Sequence, residues 1–202
     1  MSRNGSEAVS PVVGVMLMLV ITIIIAAVVS AFAGGLGGGQ QKTPQVTLAA
    51  QPIVQGIEGT LSSHATGWTA ANGIEFENTG GDTFSLSDID IQIEGGGTKY
   101  TITPSDAINW SNTVLPSGIT AGGYFQKIGN STSEDNTISP GDKFMFYADN
   151  CYISSYDNQK YLVWHPTGAT AGIGIPLGKK TEYIVIDRDT SKAMSSGYVV
   201  FR

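Results

Sequence analysis

The longest apolar stretch of the chain runs from Val9 to Ala33 and contains no charged residue. A helix rises about 1.5 Å per residue, so this stretch would reach about 37 Å, enough to cross a hydrocarbon core of about 30 Å with some tilt. Its apolar residues fall on every side of a helix with 3.6 residues per turn, so no face is suited to water. The pattern therefore predicts a helix that is covered all round, either by lipid or by copies of itself.

The two ends of this stretch carry different signals. Ser10 can cap the first turn as a hydrogen-bond acceptor, and Pro11 fits the first helical position, where a missing N–H costs nothing. Small residues with a spacing that permits close helix packing follow at Gly14, Ala26, Ala27, Ser30 and Ala31. The spacing is compatible with helix association, and equally with an ordinary single-pass anchor that happens to contain alanine.

A glycine-rich segment, residues 34–44, follows the apolar stretch. Each glycine lowers helix stability by about 1 kcal/mol relative to alanine, so we expect the helix to end at Ala33 and the chain to bend. The glycines of this predicted hinge are Gly34, Gly35, Gly37, Gly38 and Gly39. Because the apolar period changes from 3.6 to 2 beyond them, the hinge also predicts a domain boundary.

Residues 45–202 show the alternation that is typical of half-buried β-strands. The clearest case is 88–94, where Ile89, Ile91 and Ile93 share one face and polar residues share the other. Gly95 to Gly97 then predict the turn of a hairpin with the strand at 99–103. Further strands are predicted at 46–48, 53–54, 74–76, 143–147, 161–165, 182–187 and 198–201. Seven or eight short strands without a second helical pattern predict an α+β lollipop, with one long hydrophobic N-terminal helix and an all-β, immunoglobulin-like antiparallel sandwich as its head.

Composition narrows the classes of function. The chain has 202 residues and a formal net charge of −6, so a nucleic-acid partner is not expected. After the helix, about 160 residues remain, which is the size of one domain. The single cysteine, Cys151, excludes an intramolecular disulfide, and we interpret it as a buried core residue rather than a reactive thiol.

No set of residues with the spacing of a catalytic or metal site emerges, so we expect neither an enzyme nor a cofactor. His64 and His165 stand in no metal-ligand or triad spacing. Carboxylates with oxygens that suit Ca²⁺ occur at Asp149, Asp157, Asp187 and Asp189, but no twelve-residue calcium loop surrounds them and turn solvation explains them as well. Trp68, Trp110 and Trp164 would suit a sugar if exposed, or the core of a sandwich if buried.

The start of the chain resembles a known family. MSRNGSEA is a short hydrophilic leader, and VSPVVGVMLM with its aliphatic continuation is similar to the N-terminus of archaeal type IV pilins. The resemblance covers residues 8–33. It implies that a prepilin peptidase cuts between Ala8 and Val9, which removes residues 1–8 as a leader peptide. Glu7 departs from the Lys or Arg common in related leaders, and Val13 stands where bacterial pilins place a Glu, so the docking role of that Glu is not carried over.

The resemblance also implies partners and a location. The helix at 9–33 would span the plasma membrane before assembly and form the filament core afterwards, among copies of the same chain. The pilus assembly ATPase and its membrane platform would be further partners. Arg3 and the amino terminus favour an N-terminus inside the cell and a head outside it. The mature protein would then be an extracellular filament on the cell surface.

In the head, residues 78–91 and 139–143 look like recurrent segments of archaeal pilin heads, although glycine-containing turns explain them locally. The long segment from Thr103 to Ser139 lacks alternation and predicts loops or irregular hairpins. It holds two N-glycosylation sequons, at Asn109 and Asn130, and similar surface filaments are commonly glycosylated.

Three functions remain after the sequence is considered. The preferred one is a structural subunit of a type IV pilus-like filament for adhesion or surface attachment, because leader and helix together suit the peptidase route. The second is a surface protein anchored by the same helix, which binds a partner without polymerising. The third is an archaellum-type motility filament subunit, of similar build, although the Ser-Pro start fits pilins better.

Overall fold

A computed structural model describes residues 11–37, 42–55, 58–60, 72–106, 123–129, 135–166 and 172–202. The chain divides into two compact units, Met1–Lys42 and Thr43–Arg202. The division lies inside the predicted boundary segment 34–44. The described part of the first unit is an N-terminal helix, and the second unit is a β head.

The described part of the first unit is one helix, α1, at Pro11–Gly37. Pro11 is the first described residue and is helical, and the start of the helix at Ser10 and Pro11 stays a prediction. Its end differs from the prediction, because Gly34, Gly35 and Gly37 lie in the helix, four residues beyond Ala33. Extending an existing helix gains one hydrogen bond per residue, so glycine weakens a helix end without forbidding it. Ala8, Val9, Ser10, Gly38 and Gly39 lie outside the described residues.

The head consists of short strands and one turn of 3₁₀ helix at Leu86–Asp88. Its strands are β1 Val46–Ile53, β2 Glu58–Thr60, β3 Gly73–Gly81, β4 Phe84–Ser85, β5 Ile89–Gly95, β6 Thr98–Ile102, β7 Phe125–Lys127, β8 Thr137–Ile138, β9 Lys143–Tyr147, β10 Asn150–Ile153, β11 Lys160–Trp164, β12 Ile173–Pro176, β13 Lys180–Asp187 and β14 Lys192–Val200. A helix followed by an antiparallel β head confirms the predicted fold class. All the predicted strands are present, with boundaries that differ by a few residues, and the two predicted at 46–48 and 53–54 are one strand.

The strands form more sheets than a two-sheet sandwich has. Three four-stranded sheets have the orders β1-β3-β9-β7, β12-β11-β10-β2 and β14-β13-β5-β6, and β4 pairs with β8. All described pairs are antiparallel except β10 with β2. The strands that the alternation did not predict are short and lie in segments rich in turns: β2, β4, β7, β8, β10 and β12. Few residues in each leave too little pattern to recognise.

One hydrophobic core receives side chains from all three large sheets. Its largest members are aromatic, and Phe146 stacks on Trp164 with ring centroids 5.2 Å apart while Phe76 stacks on Phe144 at 5.0 Å. Ile89, Ile91 and Ile93 are fully buried, as their alternation predicts. The predicted hairpin is also present, because β5 pairs with β6 from Gly95 and Thr98 onward. The head therefore has a single interior built from non-local strand pairs.

The two head segments that resemble pilin heads meet in space. Asn78 is fully buried, its backbone N–H donates to the Asp142 carbonyl at 3.0 Å, and its carbonyl accepts from the Gly141 N–H at 2.7 Å. The side-chain amide of Asn78 donates to the Asp82 carbonyl at 3.3 Å, and its oxygen accepts from the Gly80 N–H at 3.1 Å. The glycine-containing turns at 78–82 and 139–142 are thus joined through one buried residue, Asn78.

Candidate self-assembly site

The surface of α1 is the most unusual surface in the described chain, because every residue from Pro11 to Ala33 is exposed within its unit. A span of 23 residues, Pro11–Ala33, has a mean hydropathy of 3.2 and is long and apolar enough to cross a membrane. The exposed fraction of its large apolar side chains ranges from 47% at Ile21 to 71% at Met18. Water-soluble proteins rarely expose a contiguous apolar surface of this length, so the helix needs a covering of lipid or protein.

Thr22 is a polar residue near the middle of this surface, and the sequence analysis did not consider it. Its hydroxyl donates to the Leu19 carbonyl at 2.9 Å, one turn back along the helix. A hydroxyl satisfied inside its own helix leaves no unpaired donor to face hydrocarbon. Thr22 is therefore compatible with both a membrane span and a dry bundle of helices.

The free energy gained by burying the apolar side chains of this helix is large. Burial of one large apolar side chain is worth about 1.5–3 kcal/mol relative to exposure to water. For the exposed valine, leucine, isoleucine, methionine and phenylalanine side chains of α1, the total is on the order of 20–40 kcal/mol. Because lipid tails cover such a surface as well as protein does, the gain drives burial as such and does not by itself choose between membrane and filament.

The predicted packing residues all lie on the exposed helix. Gly14, Ala26, Ala27, Ser30 and Ala31 are each exposed within the unit, and a side chain built on Gly14 would meet no atom within 4 Å. Ala26 and Ser30, like Ala27 and Ala31, lie one turn apart on the helix. Their backbone is therefore accessible to a neighbouring helix, and their role in packing remains a prediction.

The head begins with residues that are anchored to two of its turns. The Thr43 hydroxyl lies 2.7 Å from that of Thr190, and Thr43 is buried. The Gln45 N–H donates to Asp82 Oδ2 at 2.9 Å, and the Asp82 N–H donates back to the Gln45 carbonyl at 2.8 Å. Gly81 makes this close approach feasible, because its φ is +107° and a Cβ there would lie 2.1 Å from the Gln45 carbonyl oxygen. The point at which the chain enters the head is thus held firmly.

The carboxylates considered for calcium serve as acceptors within the head. Asp157 accepts the Tyr161 hydroxyl at 2.6 Å and the Gln159 N–H at 3.1 Å, and these bonds lower the pKa of its carboxyl. Asp187 accepts the N–H and hydroxyl of Thr190. Among the described residues, no group of three or more His, Cys, Asp or Glu side chains is placed to hold a metal ion. These acids stabilise turns, which is the alternative that the sequence left open.

Asp149 differs from these acids because it is almost fully buried. It accepts the Tyr124 hydroxyl at 2.7 Å and the backbone N–H of His165. Burial and the nearby Asp149 carboxylate raise the pKa of Tyr124, so its hydroxyl remains a donor. His165 is half-buried at the end of β11, while His64 lies outside the described residues. Through these bonds Asp149 joins Tyr124, just before β7, to His165 at the end of β11, and so holds separate segments of the head together.

Cys151 and Trp164 are both buried in the core, as the structural interpretation of each predicted. Burial raises the pKa of the Cys151 thiol to about 11, with the positive charge of Lys160 opposing the shift. The thiol is therefore protonated at neutral pH and poorly reactive. Trp68, Trp110 and the predicted glycosylation sites Asn109 and Asn130 lie outside the described residues.

An exposed apolar helix followed by a β head with one core fits a class of protein whose N-terminus spans a membrane or forms a polymer. The particular family follows from comparison. The family described as "Archaeal Type IV pilin, N-terminal" matches residues 7–48. This match to the N-terminal part of the chain confirms the resemblance found in the sequence. A search of curated proteins gives no significant match.

The match covers the helix and the start of the head, and it supports a coarse assignment of function. Pilins are structural subunits rather than enzymes, they originate in the membrane, and they self-assemble into surface filaments. The apolar surface of α1 fits both the membrane origin and the assembly.

Proposed function

We propose that this chain is the structural subunit of an archaeal type IV pilus-like filament that serves adhesion or surface attachment, and that it polymerises through α1. The observation that carries the proposal is the coincidence of the pilin match at 7–48 with a helix exposed on all sides. In this proposal a prepilin peptidase cuts between Ala8 and Val9, and the assembly ATPase and platform transfer the mature subunit from membrane to filament. The head faces the outside of the cell.

The physical step in assembly is an exchange of lipid for protein around α1. Since hydrophobicity drives the helix equally into either environment, contacts between helices must decide the outcome. The small residues Ala26, Ala27, Ser30 and Ala31 would let neighbouring backbones approach, and Thr22 would bring no unpaired polar group into the bundle. The glycines at the end of α1 and beyond it would let the head adjust its direction as subunits pack.

The decisive experiment places a carboxylate in the middle of α1. Ile24→Asp costs about 2.5–3.5 kcal/mol for membrane insertion, which a span this apolar tolerates. In a filament the same carboxylate is repeated in every subunit and is buried without a partner, at a cost of several kcal/mol for each copy. We expect the Ile24→Asp chain to be expressed, cleaved and membrane-bound, yet to form no filaments.

Two matched variants separate charge from other effects. Ile24→Leu keeps the apolar surface and should assemble normally. Tyr156→Asp places the same charge on a fully exposed residue of the head and should also assemble. Electron microscopy of cell surfaces and mass spectrometry of sheared filaments measure the outcome. Normal filament yield from Ile24→Asp would show that helix packing does not hold the polymer, and absence of this chain from all surface filaments of its own host would favour the anchored binding protein.

Processing is tested on the same material. The intact mass of the subunit in filaments should correspond to a chain that begins at Val9, with any glycan on Asn109 or Asn130 as added mass. A subunit that retains the eight leader residues would exclude the peptidase route.

A further inference from the structure

Positive charge is concentrated at one end of the head. β13 runs from Lys180 to Asp187, which at about 3.4 Å per residue separates its ends by about 24 Å. Exposed cations gather around its first residue, because the Leu177 N–H donates to the Lys160 carbonyl at 2.8 Å and the Gly178 N–H donates to the Phe201 carbonyl at 2.8 Å. The four cations of this basic end are Lys160, Lys179, Lys180 and Arg202.

The basic end keeps an excess of positive charge within the described part of the head, although the carboxylates of Glu94 and Glu182 lie at the same end of the sheet, beside Lys99. Its four cations form no ion pair there, and the Lys180 ammonium instead lies 3.8 Å from the centre of the exposed Tyr198 ring. The carboxylate of Glu182, two residues further along β13, is already paired with Lys99 at 2.6 Å. Elsewhere in the head, Lys127, Lys143 and Arg188 are paired, as Lys143 is with Glu75 at 2.9 Å. These exposed cations form a positively charged surface on a chain with a net charge of −6, and an acidic surface of another molecule would complement it.

The opposite end of the same sheet is acidic. β13 ends there at Asp187, which pairs with the first residues of β5 and β14. The carboxylates of this acidic end are Asp88, Asp90, Asp106, Asp187 and Asp189, of which Asp187 is buried. They outnumber its three cations, Arg188, Lys192 and the Lys42 that precedes Thr43, and the Arg188 Nε lies 3.4 Å from Asp90 Oδ1. Burial raises the pKa of Asp90, Arg188 opposes that shift, and the charge of Asp106 adds to it.

The acidic end is also where the chain enters the head, since Thr43 bonds to Thr190. Each subunit therefore presents an acidic surface close to the first residue of its head and a basic surface about 24 Å away along β13. Two like ends repel each other, whereas unlike ends attract.

We infer that the heads of neighbouring subunits contact one another head to tail, with the basic end of one copy against the acidic end of the next. The inference rests on the proposed filament function. A contact between two different surfaces of the same molecule does not close on itself and generates a helical polymer. Complementary charge sets the orientation of partners and excludes pairings of like ends. The helix bundle would hold the filament together, and the charged ends would set the direction in which heads follow one another.

The first test neutralises the basic end in the full-length protein. Lys179→Gln with Lys180→Gln should lower the filament yield at least several-fold and make the remaining filaments shed subunits at lower salt than wild type. The matched control is Thr101→Glu with Ser196→Glu, which changes the total charge equally. Both control residues are exposed and lie in one row across the middle of the same sheet, through Gln92 and Ile184. The control should assemble within about twofold of wild type.

The second test exchanges the charges. Lys179→Glu with Lys180→Glu opposes two acidic ends and should abolish filaments at low salt. Adding Asp88→Lys and Asp189→Lys to the same chain makes the ends complementary again, with reversed signs, and should restore assembly. Equal amounts of cleaved, protease-resistant subunit in the membrane show that each variant folds.

A third test detects the contact directly. A chain with Lys179→Cys and Asp189→Cys should form disulfide-linked ladders of many subunits in filaments, whereas either single variant should give monomers only. Failure of the charge exchange to restore filaments, together with absence of ladders, would overturn the head-to-tail contact. Failure of the wild-type chain to appear in any filament would instead overturn the proposed function, so the two failures are distinguishable.

Discussion

Phe146 offers the sharpest test of the core of the head. It is fully buried in β9, stacks on Trp164 at 5.2 Å, and also contacts the ring of Phe125 at a centroid distance of 5.5 Å. Phe146→Ala would remove a ring that contacts the side chains of neighbouring strands and would leave a cavity. Such substitutions cost about 3–5 kcal/mol.

That loss is large compared with the total stability of a domain, which is about 5–15 kcal/mol. With a urea m-value of about 2 kcal/mol per M, it shifts the unfolding midpoint down by about 1.5–2.5 M. The assay is urea unfolding of a fragment, residues 43–202, followed by tryptophan fluorescence and circular dichroism. We expect this fragment to be soluble, monomeric and rich in β structure, because it corresponds to the second compact unit.

The matched control is Tyr156→Ala, an aromatic residue that is fully exposed. We expect it to change the free energy of unfolding by less than about 0.5 kcal/mol. A Phe146→Ala cost below about 1 kcal/mol, or equal costs for both variants, would refute the assignment of Phe146 to the core. Aggregation of the wild-type fragment would show that the head needs a neighbour, such as a donated strand.

Two further predictions follow from the titratable groups of the head. Because burial raises the pKa of Cys151 to about 11, a thiol reagent at pH 8 should label it at least a hundredfold more slowly than free cysteine, and at the normal rate in denaturant; fast labelling of the folded chain would contradict its burial. The Ser139 N–H at 2.9 Å and the Lys127 ammonium at 3.0 Å lower the pKa of Asp142. The ionised carboxylate therefore stabilises the head above the unfolded pKa of about 3.9. This stabilisation is lost as the pH falls through the pKa of the folded state. Asp142→Asn should therefore lower the Tm at pH 7 and have a shrinking effect below about pH 4, and a Tm difference that does not depend on pH would exclude the charge as the cause.

The apolar, uncharged composition of residues 9–33 was enough to predict the helix. A stretch without charge has the same preference for lipid or protein wherever it lies, so the existence of this helix did not depend on the rest of the chain. Its end was predicted less well, because glycine at 34, 35 and 37 lowers helix stability by an amount that chain continuity outweighs. Long strands with clear alternation, such as β5 and β13, were also evident, since one buried face imposes a period of two.

The tertiary structure decided everything that depends on a distant partner. Short strands such as β4 and β8 exist because they pair with each other across more than fifty residues, and two residues carry no period. A Cβ at Gly95 would lie 2.8 Å from the Cγ2 methyl of Ile173 in another sheet, so a larger residue there would require Ile173 to move. The same holds for the charged ends of the head: Lys160, Lys180 and Arg202 are far apart in sequence, and only the pairing of strands brings them together. The local sequence sets the preference of each segment for helix, strand or turn. The long-range packing of strands sets the surface that a neighbouring molecule would contact.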